Sequence, residues 1–272
     1  MREDIKSKFP SWVNEDNGND YQLCASDDID SWLSIKVLER LKGYEVNYFY
    51  SFDKFYVMDT ERQKQAIGVD IALVEGKCWD NHITMLSRRD SVNKHSANLN
   101  AIFKINRQNY TEKYAGSTLL QIWSYYGVPL PETDEGKMIL LAIDSTYKGH
   151  YIEKFRETQN AYLRMLGMEE LIDVQEKYKQ ADFQRLTSKY RLNQKIQVNE
   201  TGKLMTDIDL DAIGEVLGYD LQIPNKVLSL RKSLKSGRLD MIGKYYPYSK
   251  RIAKNVFSLA VTSQNNVSYS AL

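Results

Sequence analysis

The chain has 272 residues, 42% of them apolar and 27% charged, a globular composition long enough for one large domain or two small ones. Its net charge of +1 excludes a global field that would direct it to nucleic acid or membrane. Two cysteines, Cys24 and Cys78, exclude a disulfide framework, and no apolar run approaches the roughly 20 residues of a membrane span, so a soluble cytoplasmic protein is expected.

Residues 1–19 read as a polar lead-in without the apolar stretch of a secretory signal. The run "YQLCAS" predicts a strand that ends at three aspartates, Asp27, Asp28 and Asp30. Residues 31–41 place Trp32, Leu33, Ile35, Val37, Leu38 and Leu41 at the spacing of a helix lying on a sheet, with Gly43 as its stop. "YEVNYFYSF" is aromatic and β-branched, a second strand, and "AIGVDIALVEG" is another strand or hairpin interrupted by Asp70. "KCWDNHITM" gives a polar turn carrying Asp80 and His82. "GSTLLQIWSYYGVPLP" is a helix opened by Ser117 and Thr118 and closed by Gly127 and Pro129. "KMILLAIDSTYKGHY" is a strongly apolar predicted strand ending at Asp144.

Helices dominate after residue 151, with Gly167 as a break. "TDIDLDAIGEVLGY" lacks the glycine and glutamate of a calcium loop and reads as a capped helix start. Between residues 228 and 254, eight Lys or Arg stand against one acid, Asp240, and alternate with Tyr245, Tyr246 and Tyr248. Such a stretch suits single-stranded nucleic acid, and a solvated face explains it equally well. The tail predicts a hairpin turning at Asn265 and Asn266.

Strands ending in aspartate and alternating with helices predict an α/β fold, an open, mainly parallel sheet flanked by helices, over residues 20–155. A mostly helical region with a terminal hairpin follows over 156–272. In open sheets of this kind ligands bind beyond the carboxyl ends of the strands. Asp28, Asp30, Asp70 and Asp144 are therefore expected to converge there on a divalent cation. Each has a plain rival reading: Asp28 and Asp30 as helix caps, Asp70 as a hairpin turn, Asp80 with His82 as a polar turn, and Asp144 as a cap.

The order "DDIDS", "GVDIAL", "WDNHIT", "GSTLLQIWSYYG", "AIDST" resembles the DHH phosphoesterase superfamily over roughly residues 20–155. That group includes RecJ-type exonucleases, nanoRNases, cyclic dinucleotide phosphodiesterases and manganese pyrophosphatases. The resemblance implies hydrolysis of a phosphodiester in a nucleotide or short single-stranded nucleic acid, with two Mn²⁺ or Mg²⁺ ions about 3.5 to 4 Å apart. It implies Asp70 as the bridge, Asp28 on one metal, Asp30 and Asp144 on the other, and His82 as a ligand or phosphate contact, with Asp80 beside them. Ser96, Asn98, Asn100, Lys148 and His150 are the candidate substrate contacts.

The sequence departs from the family pattern at several points. Cys24 and Asn81 stand where the family carries histidines, with Asp27, His95 and His150 as candidate substitutes, and the usual Gly-Gly-His motif is missing. A catalytically inactive module binding a nucleotide or a protein partner is therefore the alternative, and a phage-type interaction protein using the basic C-terminal region is a third. Self-association stays open.

Overall fold

The computed structural model describes residues 1–15, 20–244 and 246–272; Tyr245 and residues 16–19 of the lead-in lie outside the described residues. The described part of the lead-in is packed. Helix α1 (Glu3–Lys6) buries Ile5, and Phe9, Trp12 and Val13 are buried after it. In chain order there follow β1 (Tyr21–Ala25), α2 (Ile29–Lys42), β2 (Glu45–Tyr50), β3 (Lys54–Val57), β4 (Gln65–Val69), β5 (Cys78–Trp79), β6 (Ser96–Ala97) and α3 (Leu99–Ile102). Next come α4 (Thr118–Tyr125), α5 (Asp134–Ala142), α6 (Glu153–Met165), α7 (Glu170–Lys177), α8 (Gln180–Lys189), β7 (Ile196–Val198), β8 (Leu204–Thr206) and α9 (Leu210–Leu217). The chain closes with β9 (Ser229–Ser233), β10 (Lys235–Asp240), β11 (Val256–Ser263) and β12 (Asn266–Ala271).

These elements form two compact units that are discontinuous in sequence. One takes Met1–Lys8, Asp27–Leu41 and Tyr114–Val227; the other takes Phe9–Ser26, Lys42–Lys113 and Leu228–Leu272. They are not the consecutive blocks 20–155 and 156–272 that the change in sequence texture suggests.

The second unit holds the α/β sheet. Its seven strands run in the order β6-β5-β4-β1-β2-β3-β9. The pairs from β6 to β2 are parallel, and β3 and β9 add antiparallel pairings at one side. A three-stranded sheet, β10-β12-β11, joins it through backbone bonds: Leu259 donates to Ala72 and Val261 to Ile83. Beneath that joint Ile83, Leu86 and Ile105 pack with Met241, Leu259, Val261 and Val267 in one buried cluster. The β11–β12 hairpin pairs Ser263 with Asn266, so its turn falls at Gln264 and Asn265.

The first unit is helical apart from the β7–β8 ribbon. Asp28 opens α2 as its cap, accepting from the Ser31 amide at 3.2 Å. Gly43 follows the helix at φ +64, where a Cβ would be strained. The run predicted as a strand ending at Asp144 is instead α5. Thr133 caps it by accepting from the Gly136 amide, and Asp134 and Glu135 occupy its first turn, where the helix dipole favours acids. Met138 to Ala142 are all buried, and a continuous apolar run of that length fits a buried helix as well as a buried strand. Asp144 then lies in a 3₁₀ segment with Ser145, both in the left-handed region (φ +54 and +55).

Candidate metal centre

Parallel strands carry the site. Register pairs Cys24 with Gly68, Gly68 with Cys78 and Cys78 with Ser96, and one residue later pairs Val69 with Trp79 and Trp79 with Ala97. The next position in each chain is the first beyond the strand: Asp70 after β4, Asp80 after β5, Asn98 after β6. Two backbone bonds keep the row in step, Asp70 N–H to Trp79 O at 2.8 Å and Asp80 N–H to Ala97 O at 3.2 Å. Carboxylates and an amide therefore line the carboxyl edge of the sheet, where open α/β sheets hold ligands.

Asp70 turns the chain off β4 with φ +57, a conformation that Asp tolerates better than most side chains. Its Oδ2 accepts from Ser26 Oγ at 3.4 Å, and its Oδ1 lies 3.9 Å from His82 Nδ1. Asp80 is fully buried, with Oδ1 2.7 Å from His82 Nδ1 and Oδ2 accepting from Asn98 Nδ2 at 2.9 Å. The His82 ring is 37% exposed, so the cluster opens to solvent on the imidazole side. One ligand atom from each of Asp70, Asp80 and His82 falls within 4.8 Å of the others, a set that can hold a metal ion.

Asn98 is the residue whose role the sequence concealed. Its Nδ2 also donates to the His82 carbonyl at 2.8 Å, while its Oδ1 caps α3 by accepting from Asn100 N–H and Ala101 N–H. Asn100 donates to the Asn81 carbonyl at 2.6 Å. Both amides are buried and bonded inside the protein, so these two expected substrate contacts hold the loop and the acid in place, while Ser96 is buried with its hydroxyl unpartnered among the described residues. The signal available in sequence was the cap: Asn98 directly precedes a short helical run.

The remaining candidates lie in the helical unit. Asp30 is fully buried and accepts at 2.8 Å from both the Thr118 and Leu119 amides, holding the N-terminus of α4. A carboxylate oxygen of exposed Asp144 lies within 4.8 Å of one of Asp30. Nearby Tyr114 is buried, and burial, with the charges of Asp30 and Asp144, raises its phenol well above the usual range. Asp28 pairs with Lys195 at 3.2 Å, and Asp27 with the same ammonium at 3.0 Å. Burial raises the Asp27 carboxyl against the pull of Lys195; burial opposes the charge of Lys195, but Asp28 and Asp27 outweigh it and raise its pKa. Lys148 is exposed. His150 is buried between Asn160 (3.1 Å) and Glu176 (3.5 Å).

Of the candidate substitutes for the missing histidines, Asp27 and His150 lie in the helical unit with the partners given above, and His95 lies in the sheet unit together with Cys24, the residue at the first histidine position. Cys24 is buried and burial raises its thiol, which keeps it protonated. Cys78 is pushed up to about 12 by burial and then by the charge of Asp80. His95 is exposed and contributes its carbonyl to Trp12 Nε1 at 2.9 Å.

The fold and site thus define an α/β protein with a seven-stranded, mainly parallel sheet and an acidic centre able to hold a metal ion. Comparison with protein-family models, curated proteins and solved structures gives no match. No helix among the described residues is long and apolar enough to cross a membrane.

Proposed function

We propose that the chain is a metal-dependent phosphoesterase acting on a phosphodiester in a nucleotide or short single-stranded nucleic acid, with Mn²⁺ or Mg²⁺ held by Asp70, Asp80 and His82. The observation that carries this reading is the meeting of these three side chains at the carboxyl edge of adjacent parallel strands. A divalent ion there supplies Lewis acidity toward a phosphoryl oxygen and a lowered pKa for water. Asp70 and Asp80 bring the negative charge that binds it. His82, 37% exposed and with Nδ1 facing both carboxylates, would complete the ligand set on the solvent side. Asn98 fixes the Asp80 carboxylate, as outer partners of metal ligands do.

The test is hydrolysis of a chromogenic phosphodiester and of short oligonucleotides with Mn²⁺ present, in the native chain and in Asp70→Asn. Turnover should vanish in the variant while the melting temperature hardly moves; equal turnover in both would refute catalysis at this centre. Calorimetric titration with Mn²⁺ gives the stoichiometry, and two ions per chain would support the two-metal form implied by the family resemblance.

A second reading, a non-catalytic nucleotide- or protein-binding module, draws on the protonated, buried Cys24 and on Asn81, which stand where the resembled family has histidines. No bound metal together with tight nucleotide binding would favour it.

A further inference from the structure

The turn that follows His82 carries two adjacent arginines, Arg88 and Arg89, both exposed, and among the described residues neither guanidinium has an acidic partner. Ser87, Arg88, Arg89 and Gln108 line a shallow depression. The turn is tied down from the far end of the chain. Ser87 Oγ donates to the Pro247 carbonyl at 2.9 Å. Buried Asp90 accepts from the amides of Leu86 (3.0 Å), Ser91 (2.9 Å) and Ser249 (2.8 Å) and from Ser249 Oγ (3.2 Å). Residues 87–90 and 247–249 therefore lie side by side although some 159 positions separate them.

Tyr248 stands between the two stitched residues Pro247 and Ser249, and Arg251 two positions beyond them. Tyr248 is 37% exposed, and the Arg251 guanidinium sits 5.0 Å from its ring centroid. The neighbouring Lys250 pairs with Glu75, whereas among the described residues no acid pairs with Arg88 or Arg89. Planar guanidinium forks match phosphate oxygens in pairs. A partly open tyrosine face takes a base, and base faces are available only when the strand is single. An acidic protein would satisfy the arginines but leave the ring without a matching group.

We propose that Arg88, Arg89, Tyr248 and Arg251 form a binding site for single-stranded nucleic acid, with the arginines on consecutive backbone phosphates and Tyr248 stacked on a base. The site is built without Asp70, Asp80 or His82 and does not depend on the hydrolytic reading.

Fluorescence anisotropy of labelled oligo(dT) and oligo(rU) of about 15 nucleotides, with the full chain in EDTA, tests it. Arg88→Glu/Arg89→Glu should weaken binding at least about tenfold and lower the slope of log affinity against log salt by about 1.4, the share of two phosphates on a single strand. Tyr248→Ala should cost about fivefold or more, while Tyr248→Phe keeps affinity. Failure of the native chain to bind, unchanged affinity in the double arginine variant at unaltered melting temperature, or equal affinity for duplex DNA or for phosphatidylglycerol vesicles would overturn the proposal.

Discussion

Asp80 shows how a single side chain decides whether the acidic centre is ordered. Its carboxylate is fully buried and receives His82 on one oxygen and Asn98 on the other. Asn98→Ala removes that donor, the bond to the His82 carbonyl and the cap of α3, and should cost about 2 to 4 kcal/mol in urea unfolding, with weaker Mn²⁺ binding by calorimetry. Asp70 was legible in sequence because it interrupts an apolar run, and Asp80 because it stands with His82 in a polar turn that resembles the family's third motif. The work of Asn98 was not, because its partner Asp80 lies 18 positions away and only the sheet register joins them. Tyr151 carries a pH dependence of its own. Burial, with the charges of Asp182 and Glu176, pushes its phenol up to about 12, and its one O–H lies between the carbonyls of Tyr178 at 2.7 Å and Gln175 at 3.0 Å. The folded state then holds a proton that the unfolded state releases near pH 10, so this contribution is complete below pH 10 and is lost as pH rises toward 12. Thermal melts between pH 9 and about 12 should fall more steeply for the native chain than for Tyr151→Phe.

Among the elements, α4 depends on an acid that is remote in sequence. Its first amides close on Asp30, 88 and 89 positions upstream, and Ser117 caps it locally through the Leu120 amide. Asp30→Ala leaves two buried amides without their acceptor and should destabilise the fold by about 3 kcal/mol or more, whereas Ser117→Ala should cost about 1 kcal/mol. Denaturant midpoints of the two variants check the order; a larger loss in Ser117→Ala would contradict it. The start of α4 was readable from Ser117 and Thr118, but nothing local announces Asp30. The α5 run misleads for a different reason: Ile139 to Ala142 are buried all round, so hydropathy has no period there, and only Thr133, Asp134 and Glu135 mark a helix.

For the whole molecule, the α/β class and the strand-end site follow from order and pattern, while the division into units does not. Sequence texture changes near residue 151, yet compactness follows contacts, and β9 pairs with β3 across most of the chain length. Adding Mn²⁺ at about 100 times its dissociation constant should raise stability by about 2.7 kcal/mol in the native chain, visible as a shifted melt, and should do nothing in Asp70→Asn. The interleaving of the two units also sets a timetable for synthesis. A nascent chain that has delivered its first six strands still lacks Met241, Leu259, Val261 and Val267, which bury Ile83, Leu86 and Ile105. Until β11 and β12 are made, Ile83, Leu86 and Ile105 stay without the side chains that cover them, so the sheet unit closes its core only late in synthesis.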